Sequence, residues 1–71
     1  MSYNGYKNWN QWNVSLWINN DVFLYRTAVA LCKRKSKLDA AHELAYLLAG
    51  QKTPDGATYS LSAIRAALVG M

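Results

Sequence analysis

All three tryptophans of this chain fall between Trp9 and Trp17, inside the run Tyr3-Asn-Gly-Tyr-Lys-Asn-Trp-Asn-Gln-Trp-Asn-Val-Ser-Leu-Trp-Ile-Asn-Asn-Asp21, which also holds every asparagine. The chain has 71 residues, and a domain of that size buries only about 60–65% of the surface its unfolded form exposes. It therefore needs a staple: a disulfide, a metal, self-association or unusually large buried side chains. A single cysteine, Cys32, excludes an intramolecular disulfide, and a single histidine beside it cannot close a metal site. Indole and phenol rings, which bury roughly 150–250 Å² each, are then expected to act as the staple. A homodimer is the second route to a sufficient core.

The chain reads as one small all-α domain over residues 1–71, a compact bundle of about four short helices with the Trp-rich first helix at its centre. Residues 1–7 form an extended N-terminal arm. The first helix starts at Asn8 or Asn10. Asn8 with Gln11 resembles a capping box, whereas Asn10 would make a hydrophobic staple of Trp9 and Val14. It runs to about Asn19, and Asn19-Asn20-Asp21 supplies a tight connection and a new cap. The second helix spans about Val22 to Lys35. Its core stripe is Leu24, Tyr25, Ala28, Val29, Leu31 and Cys32, and its outer side is Phe23, Arg26, Ala30, Lys33 and Arg34.

Ser36, with Asp39 three residues on, caps a third helix over about Lys37 to Ala49. This helix buries Leu38, Ala41, Leu44, Ala45, Leu47 and Leu48, and exposes Asp39, His42, Glu43 and Tyr46. Gly50 ends it. Residues 51–59 form a loop around the turn Thr53-Pro54-Asp55-Gly56, in which Pro presets φ and Gly permits a positive value. A fourth helix runs from the cap Ser60 to about Val69 and buries Leu61, Ile64, Ala67 and Leu68.

On a helical wheel Trp9, Trp12 and Leu16 share one side of the first helix, and Val14, Trp17 and Ile18 occupy much of the other. A helix that is apolar on two sides is central or bridges two surfaces. Trp12 and Leu16 are expected inward, which leaves Trp9 or Trp17 as an anchor for a partner, since Trp and Arg dominate binding hot spots. Two or three asparagines act as caps, and the others bond to backbone or to a partner.

The formal net charge is +4. This favours an acidic partner, either nucleic acid or an acidic protein surface, and argues against a DNA mimic. Lys33, Arg34, Lys35 and Lys37 place four cations across one helix junction, and Phe23 with Arg26 extends that patch. His42, Asp39 and Glu43 share a helical face but have no nucleophile to activate and make at most a weak metal site. Arg65 has the position of a base contact in a helix-turn-helix motif, but the stretch from Gly50 to Tyr59 is too long for that turn. No cofactor loop or catalytic pairing is present, so a non-enzyme is expected. The longest apolar run, Ala28 to Cys32, falls far short of the ~20 residues that cross a bilayer. With no secretory signal and one unpaired cysteine, a cytoplasmic protein without a membrane partner is expected.

The opening run, continued by Leu24-Tyr25, resembles a group of small uncharacterised proteins encoded by bacteriophages and other mobile elements. Their shared opening is Tyr-x-Gly-Tyr/His-Lys-Asn-Trp-x-Thr-Trp-Asn-Val-x-Leu-Trp-Ile-x-Asn-Asp. Tyr3, Gly5, Lys7, Asn8, Trp9, Trp12, Asn13, Val14, Leu16, Trp17, Ile18, Asn20 and Asp21 match it, and Gln11 stands where the pattern has Thr. The resemblance implies provenance rather than mechanism. Small phage accessory proteins commonly bind and block a host protein, anti-CRISPR proteins being one such class. The expected function is therefore inhibition or redirection of a host protein by occlusion, through Phe23, Arg26, Lys33, Arg34, Lys35 and Lys37 with Trp9 or Trp17 as anchor. The alternative is direct nucleic-acid binding through the Lys33 to Lys37 cluster.

Overall fold

A computed structural model describes residues 3–71; of the expected N-terminal arm, Met1 and Ser2 lie outside the described residues. Four helices follow in order, α1 (Trp9–Asn20), α2 (Val22–Arg34), α3 (Lys37–Leu47) and α4 (Leu61–Leu68). α1 packs on α2 and α4, and α3 packs on the same two, so the four close a ring around one core. The α1–α4 pairing is the most extensive. The Cα radius of gyration is 11.0 Å, as a compact chain of this length requires (about 11 Å).

Each helix begins on a side-chain oxygen that satisfies an otherwise orphaned N–H. Asn8 caps α1, accepting from the Gln11 N–H at 2.9 Å, while Gln11 Oε1 accepts from the Lys7 N–H at 3.2 Å. The reciprocal bond of the capping box thus falls one residue upstream of the cap. Asp21 ends α1 and starts α2: its N–H donates to the Trp17 carbonyl at 2.9 Å, and its carboxylate accepts from the Leu24 N–H at 3.0 Å. Ser36 caps α3 through the Asp39 N–H at 3.1 Å, and Ser60 caps α4 through the Ala63 N–H at 3.2 Å.

The arm before α1 is not extended. Tyr3 and Tyr6 pair as an antiparallel bridge across Asn4-Gly5, whose φ values are 53° and 91°. Two successive positive φ angles define the tight hairpin turn that Asn-Gly favours. The Thr53-Pro54-Asp55-Gly56 turn forms as expected: the Gly56 N–H donates to the Thr53 carbonyl at 2.9 Å with Gly56 at φ 94°. Lys52 and Thr58 bridge behind it.

The tryptophans are not the core. Trp9 is 40% exposed and Trp12 and Trp17 are half-buried. The inward face of α1 is instead Gln11, Val14, Ser15 and Ile18, at the i, i+3, i+4, i+7 spacing of one helical stripe. Leu16, expected inward beside Trp12, is exposed. The side chains that meet at the centre are small or aliphatic: Val14, Ile18, Leu31, Leu44, Ile64 and Leu68 among Ala28, Ala40, Ala41, Ala57, Ala63 and Ala67. Alanine at a helix contact lets backbones approach closely, so a short chain reaches interior density with Tyr59 as the one ring among the buried residues of the core. The same close approach turns α3 so that Ala40, Ala41, Leu44 and Leu48 are buried, while Leu38 and Leu47, expected in the core, are exposed. On α2 the buried residues are Ala28 and Leu31; Leu24, Val29 and Cys32 are half-buried, and Tyr25 is exposed rather than inward.

Candidate functional site

Two sets of side chains stand out once the core is assigned, one structural and one open to solvent. The structural set joins α1 to the loop after α3. The Asn13 amide, almost wholly buried, donates to Asp55 Oδ2 at 2.9 Å and accepts from the Thr53 hydroxyl at 2.6 Å. The Trp17 indole N–H donates to the same Asp55 oxygen at 2.9 Å. Thr53 Oγ1 in turn accepts from the Ala57 N–H at 2.9 Å. One helical turn earlier, Asn10 makes a two-way pair with Thr58, donating to its carbonyl at 2.9 Å and accepting from its N–H at 2.8 Å. Those two donors, first Asn13 and then Trp17, hold the Asp55 carboxyl below its ordinary pKa against a small opposing desolvation.

Other residues of the opening run also bond within the chain. Tyr6 and Ser15 share a hydroxyl–hydroxyl bond at 2.6 Å, and the Asn19 and Asn20 amides donate to the Ser15 and Leu16 carbonyls at 2.8 and 2.7 Å. The Tyr3 ring lies tilted against Trp12 with centroids 6.4 Å apart. No buried side-chain nitrogen or oxygen among the described residues lacks a partner. The motif-bearing segment is thus occupied with building the domain, and Trp17, one of the two expected anchors, spends its polar atom on Asp55.

The open set lies on α2. Phe23, Arg26, Ala30, Lys33 and Arg34 are exposed along its outer face, with Phe23 76% accessible. Val22, which the periodicity did not single out, adds apolar surface, and with Phe23, Arg26, Thr27 and Ala30 it lines a shallow depression. Lys37 is exposed at the start of α3. Lys35 departs from this group because its ammonium lies 3.2 Å from Glu43 Oε1. Of the eight Lys and Arg it alone is ion-paired among the described residues. Three of the four carboxylates are engaged locally: Asp21 in a cap, Glu43 with Lys35 and Asp55 in the loop. Asp39 sits in the first turn of α3, where it complements the helix dipole. No carboxylate stands on the outer face of α2.

His42 is exposed, and the described residues contain no group of three or more His, Cys, Asp or Glu side chains able to hold a metal ion. None of the helices is long and apolar enough to cross a membrane. Tyr59, packed into the core edge, has its phenol pushed above the ordinary value by burial, with the Asp21 charge adding to the effect. No curated protein and no solved structure matches the chain. A family model described as a family of unknown function matches residues 1–70, so the chain belongs to that family, DUF7249.

Proposed function

We propose that this protein is a small interaction protein of phage type that binds a host protein and blocks or redirects it by occlusion, with the outer face of α2 as its contact surface. The observation that carries this reading is the composition of that face. Val22, Phe23 and Ala30 alternate with Arg26, Lys33 and Arg34, and no acid is interposed. Aromatic and arginine side chains together form the usual hot spots of a protein interface. Unpaired cations around them steer an acidic partner into register and speed association. Lys37 widens the positive rim, and Trp9 offers a second exposed ring on a different helix.

The same cations support a second reading, direct nucleic-acid binding, because exposed Phe23 beside Arg26 suits stacking on an unpaired base. Binding to random-sequence single- and double-stranded DNA across a salt series separates the two. The host-protein reading predicts no binding at physiological salt. A steep fall of the logarithm of affinity with the logarithm of salt would favour the nucleic-acid reading. Affinity capture from bacterial extract with the wild-type chain and with Phe23→Ala/Arg26→Glu completes the test. A specific host protein retained by the first and lost by the second is the expected result, and equal retention by both removes α2 from the contact.

A further inference from the structure

A second open site lies away from the α2 face, and its lining residues are different. The N-terminal turn and the outer side of α4 flank an open, shallow cleft of about 640 Å³, a volume within the range of ligand-binding clefts. Leu61, Ala66 and Val69 give it an aliphatic wall on the α4 side, and Asn4, Gly5 and Tyr6 form the facing wall. Its two charged residues are Lys7 and Arg65, both exposed and free of any ion pair among the described residues. No carboxylate lines it.

We infer that this cleft binds a short acidic and aliphatic segment of a partner protein, whose carboxylates meet Lys7 and Arg65 while its apolar side chains lie on Leu61, Ala66 and Val69. The charge argument is complementarity. Two like-signed side chains, Lys7 from the N-terminal turn and Arg65 from α4, line a space that no acid of the chain neutralises, and an arginine fork matches carboxylate geometry in a bidentate way. The chemistry of the walls selects a peptide over a nucleotide. Three of the lining side chains, Leu61, Ala66 and Val69, are aliphatic, and the one aromatic ring, Tyr6, is half-buried with its hydroxyl engaged by Ser15. Aliphatic side chains and backbone instead favour leucine-like residues flanked by acids.

The site is separate from the α2 surface, so each can be tested without the other. The probe is an acetylated heptapeptide alternating aspartate and leucine, titrated into the isotopically labelled full chain while backbone amide shifts are followed. Saturable shifts at Gly5, Lys7, Ser62 and Arg65 are expected, with Lys33 and Arg34 unmoved. Lys7→Ala/Arg65→Ala should weaken the peptide about tenfold, the combined effect of two solvent-exposed charge contacts. Both side chains are exposed, so the fold is retained. Val69→Glu, also at an exposed position, should weaken binding by placing a carboxylate on the aliphatic wall. Unchanged affinity in both variants, shifts centred elsewhere, or tighter binding of adenosine monophosphate than of the peptide would overturn the assignment. Phe23→Ala/Arg26→Glu should bind the peptide as the wild type does, so failure of the α2 reading leaves this result intact.

Discussion

Asn13 sits where one side-chain amide meets two partners from a loop about forty residues away, the Asp55 carboxylate and the Thr53 hydroxyl. Truncating it leaves the buried Thr53 hydroxyl without its acceptor and removes one of the two donors to Asp55. Asn13→Ala should therefore lose about 1–3 kcal/mol of stability, measured by urea unfolding. Asp55 lends this contact a pH dependence. Its folded pKa lies below the unfolded value, so the stability it contributes is present above the unfolded pKa and lost as pH falls through the folded one. Melting temperatures taken from neutral pH down to about pH 3 should fall more steeply for the wild type than for Asp55→Asn. Tyr59 acts at the opposite end. Its folded pKa is raised, so its contribution is complete below the unfolded value near 10 and fades as pH climbs through the folded one. Tyr59→Phe should flatten the alkaline limb of the same melting series.

At the scale of the helices, α1 shows which side of an amphipathic segment carries the stability. Ile18 is fully buried, whereas Trp9 is 40% exposed. Ile18→Ala should cost about 2–5 kcal/mol, while Trp9→Ala should stay below about 1 kcal/mol. Equal losses in chemical denaturation would restore tryptophan to the core. For α1 the fold selects Asn8 over Asn10 as the cap. The capping residues Asp21, Ser36 and Ser60, and so the four helices, were readable from local chemistry because a cap and its N–H are neighbours in sequence. The inward face of α1 was not. Burying Gln11, Asn13 and Ser15 looks unfavourable until their partners are known, and for Asn13 those partners are Thr53 and Asp55 on a distant loop. The Asn4-Gly5 turn carried a legible signal that an extended arm overlooked. The turn of α3 toward Ala40 depends on which neighbouring helix comes closest, a property of packing that periodicity does not contain.

For the whole molecule, the core explains how so short a chain dispenses with cross-links. Six alanines lie among its buried residues, and a polar clasp ties the long loop to α1. Such a core has little room to grow. Ala63→Leu should destabilise by about 1–3 kcal/mol through overpacking, read as a lowered urea midpoint. The candidate α2 surface was more legible than the core, because Phe23, Arg26, Ala30, Lys33 and Arg34 share a helical side by spacing alone. The departure of Lys35 from that group depends on Glu43, which only the folded arrangement of α2 and α3 brings within reach.

Asp21 is the sole residue between α1 and α2, ending one and beginning the next. The two helices therefore share a fixed phase, like gears on one shaft. Adding a single amino acid at this joint would rotate α2 by about 100° around its own axis, swinging Phe23 and Arg26 off the solvent side and dragging Ala28 out of the interior. Natural length variation in relatives should accordingly avoid this point and gather in the Gly50 to Tyr59 segment instead.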